Sequence, residues 1–203
     1  MFAKFIIYLY IHGGANAKPK ILKMSNNKII LLGVTGSIAA YKACDLIRQL
    51  VKNDCDVHVI MTRNAAKLVT PLTFKTLSKN PVSIDLFTET AEWRPEHISL
   101  AERGDLMVIA PATANIIAKI AYGIADDALS ATALAFNGMK IIAPSMNTAM
   151  LGNPVTQENI SILRQRNFMI IDPENGELAC GKVGTGRLAP VEQIVNKIQN
   201  SLK

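Results

Sequence analysis

The sequence predicts an α/β domain: a three-layer, Rossmann-like arrangement with a parallel sheet of about six strands and helices on both faces. Three observations predict it. Several short runs read as strands: residues 28–34 (KIILLGV) are continuously apolar, 56–62 (DVHVIMT) are rich in β-branched residues, and 105–110 (DLMVIA) and 140–143 follow. A strand wetted on one face alternates, whereas one covered on both faces reads as an unbroken run. Helical patterns separate these runs, which is the order of a parallel sheet with crossover helices. Finally, 203 residues with 49% hydrophobic and 19% charged side chains suffice for one full core of ordinary globular composition.

The elements follow in order. After the strand at 28–34, Thr35-Gly36-Ser37 turns into a helix that runs to about residue 51. The second strand spans 56–62, and 64–78 reads as short helices broken at Pro71. A short strand at 82–84 precedes a polar loop over 88–96, which holds Trp93 and Pro95, and then a short helix at 97–103. The strand 105–110 ends at Pro111 and is followed by helices at 113–122 and 127–136. Pro144 closes the strand 140–143, and a helix over 154–166 carries proline in its favoured first turn. A strand at 168–171, a glycine-rich irregular segment over 174–187 and a helix at 191–202 complete the domain. In such sheets ligands sit outside the carboxyl ends of the strands. The segments leaving those ends, GVTGSIAA, MTRNA, APATAN and APSMN, are therefore the candidate site.

Charge and composition exclude several classes. The net charge is +6, but Lys4, Lys18, Lys20 and Lys23 supply four of those charges and leave +2 for residues 24–203. That body has no basic stripe, so no nucleic-acid partner is expected. Cys44, Cys55 and Cys180 show no paired spacing, which reads as reduced and cytoplasmic, and no Cys/His cluster has metal-ligand spacing, so no metal is expected. The apolar run 5–11 is too short to span a membrane. Residues 1–23 are read as a disordered extension or an upstream start, and 24–203 as one domain.

Five segments can carry chemistry. Gly36 and Ser37 turn a strand into a helix, where backbone N–H groups and the helix end favour an anion; a plain capped turn would look the same. The pattern is not GxGxxG, and the second strand ends in Thr62-Arg63 rather than an acid, which suits a phosphate better than a ribose hydroxyl. The ligand therefore reads as a mononucleotide. Thr113 and Asn115 offer hydrogen bonds at a helix start or simply cap it. Asn147 stands between Met146 and Met150, with an amide suited to a carboxylate and methionines suited either to an aromatic ring or to the core. Cys180 lies in a glycine-rich loop and could donate a proton, since a thiol with pKa near ~8.5 is mostly protonated at neutral pH. His97 opens a helix and is a candidate base, or a structural histidine.

Taken together, these segments resemble the homo-oligomeric flavin-containing cysteine decarboxylases. The matching pieces are GSIAAYK (36–42), His97 with Ile98-Ser99, PATAN (111–115), PSMNTAM (144–150) and ACGKVGTGR (179–187), in the family's order and spacing. The last is most similar to the branch acting on 4′-phosphopantothenoylcysteine. The resemblance implies FMN bound between subunits of a trimer, sometimes built into a dodecamer. It places the cofactor on Gly36, Ser37, Ile38, Thr62, Ser99, Ala112, Thr113, Ala114 and Asn115. It makes His97 the base, Cys180 the late proton donor, and Asn147, Met150 and Ala179 the substrate contacts. The implied chemistry oxidises the cysteinyl CH2–SH to a thioaldehyde, loses CO2 to give an enethiol, and re-reduces that to 4′-phosphopantetheine. A separate synthetase would supply the phosphorylated substrate. The sequence departs from the family pattern at Ile116, Leu151 and Lys182, none of them a reacting group. Three other readings stand beside this one: a peptidyl-cysteine decarboxylase, a flavin prenyltransferase and a non-catalytic flavoprotein regulator.

Overall fold

The computed structural model describes residues 27–87, 94–177, 179, 181 and 183–203. The proposed extension 1–23, Trp93 with most of its loop, and Cys180 lie outside the described residues. Six strands form one parallel sheet: β1 (Ile29–Val34), β2 (Asp56–Met61), β3 (Val82–Ser83), β4 (Leu106–Ala112), β5 (Met139–Pro144) and β6 (Met169–Ile170), in the order β3-β2-β1-β4-β5-β6. The order reverses between β1 and β4, which opens a crevice at their carboxyl ends. The helices are α1 (Lys42–Lys52), α2 (Pro71–Ser78), α3 (Glu96–Arg103), α4 (Ala114–Tyr122), α5 (Ala128–Ala135), α6 (Thr148–Leu151), α7 (Pro154–Gln165) and α8 (Val191–Ser201), with a 3-10 turn over Ile38–Tyr41 before α1.

Alternation of side chains along each strand divides the core in two. Ile30, Leu32 and Val34 of β1 pack with Leu46, Leu50, Phe74 and Ile198 under α1, α2 and α8. Leu31, Met107 and Ile109 pack with Ile117, Leu129 and Phe136 under α3, α4, α5 and α7. Continuous apolar runs result because both faces are covered. α5 (ALSATALA) is buried from Ala128 through Ala133, and its small residues let it lie close to the sheet. Its start is a capping box between Asp127 and Ser130, and Lys119 pairs with Asp127 at 2.6 Å. At the opposite end of the sheet Asp105 joins two strands. Its carboxylate accepts from Ile29 N–H (2.8 Å) and Lys28 Nζ (3.1 Å).

Two expectations need correction. Pro111 does not end its strand but is carried within β4, which runs on to Ala112 with a register shift between Ile109 and Ala112. Pro144, as expected, closes β5 as its last residue, and residues 64–78 form two short helical pieces separated before Pro71, a 3-10 turn over Ala65–Lys67 and α2. Residues 174–187 are not irregular: β7 (Glu174–Glu177) and β8 (Val183–Arg187) form an antiparallel hairpin. Glycine hid the strand signal there, because its positions serve close packing rather than propensity. The single-turn helix α6 was too short for a periodic signature.

Candidate active site

The carboxyl ends of β1, β4 and β5 converge through buried hydroxyls. Thr35, fully buried after β1, donates to the Pro111 carbonyl (2.7 Å) and accepts from Thr113 N–H (3.0 Å). Ser37 Oγ caps the next turn by accepting from Ala39 N–H (3.3 Å). It also lies 3.0 Å from Ser145 Oγ, so the loops leaving β1 and β5 meet across the end of β4. Gly36 is needed at this turn, since a Cβ there would stand 2.7 Å from Asn64 Cβ. Thr113 is the N-cap of α4. Asn147 is the N-cap of α6, and its Oδ1 accepts from Ala149 N–H at 2.8 Å, which determines which end of the amide is the donor.

The hairpin closes one side of this edge. Met146 N–H donates to the Gly186 carbonyl (3.0 Å). A Cβ on Gly186 would run into Met146 O, and one on Gly184 into Thr148 Oγ1. The GTG spacing therefore puts two glycines on the face of β8 that meets α6. Between hairpin, α6 and the start of α1 lies a cleft of about 650 Å³, within the size range of small-ligand sites. Gly36, Ser37, Ile38, Thr113, Asn147, Met150 and Ala179 line it. These predicted residues come from the turn after β1, the start of α4, α6 and the hairpin.

The remaining predicted residues stand elsewhere. Thr62 accepts from Ala65 N–H (3.2 Å), and Arg63 is engaged by Asp85 at 2.6 and 2.8 Å. Ala112 is buried, Ala114 half-buried and Asn115 exposed on α4. His97 and Ser99 lie on α3, whose Glu96 accepts from the Ser83 hydroxyl (2.9 Å), and neither lines the cleft. His97 Nδ1 is buried without a hydrogen-bond partner among the described residues. Of the other described histidine and cysteines, His58 bonds Asp56 (3.2 Å), while Cys44 is half-buried and Cys55 buried. Burial pushes both thiols up, away from thiolate reactivity.

Sequence reasoning missed Thr35, Ser145, Tyr41, Lys42, Glu177 and Arg187 as contributors. Ser145 lay inside a quoted motif, but only the fold shows its hydroxyl facing Ser37. A flavin mononucleotide suits the donor set here: a hydroxyl-capped helix start for a phosphate and an apolar wall of Ile38, Met146 and Met150 for a ring. Among the described residues no group of His, Cys, Asp and Glu could hold a metal ion, and no helix is long and apolar enough to cross a membrane.

Comparison with known proteins agrees with this geometry. The flavoprotein family model matches residues 20–203. The chain is 46% identical over 177 residues to a probable phosphopantothenoylcysteine decarboxylase of Streptococcus mutans, covering 86% of this chain and 99% of that protein. It is 48% identical over 172 residues to the coenzyme A biosynthesis bifunctional protein CoaBC of Bacillus subtilis, covering 85% of this chain but only 42% of that longer protein. Among solved structures, the FMN-dependent cysteine decarboxylase SpaF superposes with a TM-score of 0.76 at 30% identity, over 88% of this chain and 96% of that one. A match spanning the whole described domain, together with the sheet order and the cleft at its carboxyl edge, leaves one conclusion: the chain belongs to the flavoprotein family.

Proposed function

We infer that the chain is an FMN-dependent carboxy-lyase that converts 4′-phosphopantothenoylcysteine to 4′-phosphopantetheine in coenzyme A biosynthesis. The observation that carries this is the near-complete alignment with the Streptococcus relative over a domain whose cleft gathers Asn147, Met150 and Ala179. FMN is supported by the likeness to SpaF and by the hydroxyl-lined helix start. Bound flavin supplies a hydride acceptor and later a hydride donor, so no external reductant is consumed.

The chain's own residues do the rest. Asn147, its Oδ1 held by Ala149 N–H, offers the amide donor to the substrate carboxylate. His97 serves as the base, with Nδ1 buried and without a partner among the described residues, to take the proton released as the cysteinyl CH2–SH is oxidised to a thioaldehyde. That group provides the electron sink β to the carboxylate, and CO2 leaves to give an enethiol. Cys180, in the glycine-rich stretch of the sequence between Glu174 and Arg187, gives the final proton. Because His97 and Ser99 do not line the cleft that holds Asn147, we assign the complete site to a homo-oligomer, a trimer or a dodecamer built from trimers, in which a second chain's α3 meets it. The protein is assigned to the cytoplasm, with a synthetase supplying its phosphorylated substrate.

The test is CO2 release by the purified yellow protein from 4′-phosphopantothenoylcysteine without added reductant. Release with formation of 4′-phosphopantetheine is expected. His97→Asn should lower the rate about 10²- to 10⁴-fold, while Cys180→Ser should still release CO2 and accumulate the enethiol. A yellow protein that releases nothing overturns the assignment.

A further inference from the structure

Among the described residues, three charged side chains line the cleft: Lys42, Glu177 and Arg187. The two cations have no structural explanation. Lys42 is the first residue of α1, close to the positive end of the helical run that begins at Ile38. A cation is disfavoured there by the helix macrodipole. No carboxylate among the described residues pairs with it. Arg187 ends β8 and lies across the hairpin over Gly176, where a Cβ would come within 2.8 Å of Nη1. The hairpin thus leaves a slot for the guanidinium. Its ladder partner is Glu174, yet neither that carboxylate nor Glu177 forms an ion pair with it.

Two uncompensated cations against one carboxylate leave the concave lining with a positive excess. Concave walls concentrate such a field on whatever enters. A planar guanidinium that donates in pairs, beside a compact ammonium, suits a phosphate monoester. Neither residue belongs to the set assigned to the carboxylate or to proton transfer. Asn147 caps α6 and Lys42 begins α1, so an elongated substrate has an amide at one wall of the cleft and a cation at another.

We propose that Lys42 and Arg187 are the receptor for the substrate's phosphate monoester, and that they select a phosphorylated small molecule over its unphosphorylated analogue or a cysteine-ending peptide. This rests on the decarboxylase reading above. The cofactor carries a phosphate monoester as well, so the experiment must separate the two sources.

In flavin-loaded protein, kcat/KM for CO2 release is measured with 4′-phosphopantothenoylcysteine and with pantothenoylcysteine. Binding of 4′-phosphopantetheine and of pantetheine is measured by calorimetry, and flavin affinity by fluorescence. The proteins are wild type, Lys42→Met, Arg187→Met and Arg187→Lys. Wild type should prefer the phosphorylated compounds. Each methionine variant should lose about ten- to a hundredfold in kcat/KM for the phosphorylated substrate, through KM. The unphosphorylated substrate and flavin affinity should be unchanged, and Arg187→Lys should fall between. Equal losses on both substrates, or an intact preference, overturn the proposal. Weakened flavin binding with the preference intact assigns the pair to the cofactor phosphate and also overturns it. If wild type decarboxylates neither compound, the decarboxylase reading fails, and the binding arm decides: 4′-phosphopantetheine held no tighter than pantetheine overturns the receptor.

Discussion

At the carboxyl ends of β1, β4 and β5, hydroxyls and carbonyls bind one loop to the next, with Thr35 bridging Pro111 and Thr113 and Ser37 meeting Ser145. The β7–β8 hairpin meets the same edge differently, through the Met146–Gly186 backbone hydrogen bond and two glycines pressed against α6 and the loop before it. The first region is part of the core and owes its shape to burial. The second has little burial along its strands, with glycine spacing deciding how closely it approaches. Substitutions in the two regions should therefore fail in different ways, stability for the sheet and catalysis for the hairpin.

The sharpest contrast is between two glycines. Gly186→Ala would force a methyl against Met146 O, displacing the hairpin and Arg187 with it. A misplacement of about 1 Å is enough for roughly a hundredfold loss in kcat/KM, and thermal melting should shift little. CO2 release and a melting curve on the same sample check both halves, and a large drop in Tm with activity intact would break the comparison. Gly33→Ala, in β1, places a methyl 2.5 Å from Leu129 Cδ1 and 3.0 Å from Ile109 Cγ1. Overpacking of this kind costs about 1–3 kcal/mol. Urea denaturation should show that cost while the folded fraction still binds flavin stoichiometrically.

Ser145→Ala removes the hydroxyl facing Ser37 and should cost about 0.5–1.5 kcal/mol, divided between stability and flavin affinity; titration with FMN separates the two. The smallest effect belongs to the far end of the sheet. Partial burial pushes the Asp105 carboxyl up, but the Ile29 N–H and the Lys28 ammonium outweigh it and hold it below the usual carboxylate range. A carboxylate lowered on folding stabilises above its unfolded pKa, near ~3.9, and that contribution disappears as pH falls through the folded value. Asp105→Asn should therefore flatten the acid limb of stability. After allowance for solvent screening it should cost about 1 kcal/mol at neutral pH and nothing in strong acid. Urea midpoints at pH 7 and pH 3 test this.

The strand runs and their succession along the chain were legible because burial on both faces removes alternation, and that signal is local. The turn at Gly36-Ser37, the caps at Thr113 and Asn147 and the paired glycines of the hairpin were visible for the same reason: each is a short-range demand of the backbone. What could not be read was which of these meet. Ser37 faces Ser145 at a sequence distance of 108 residues, and Arg187 lays its side chain over Gly176, across a hairpin that glycine had disguised. His97 is plain in the sequence, yet the fold puts it on α3, away from the cleft that holds Asn147.

The sequence by itself determined the α/β class, the strand succession and the residue types offered at the candidate site, since propensity, burial pattern and side-chain chemistry are properties of single segments. Only the tertiary structure decided which segments share the cleft, which cations lack a carboxylate and which candidate base lies elsewhere, because proximity across the sheet depends on strand order and crossover connections that no local pattern encodes.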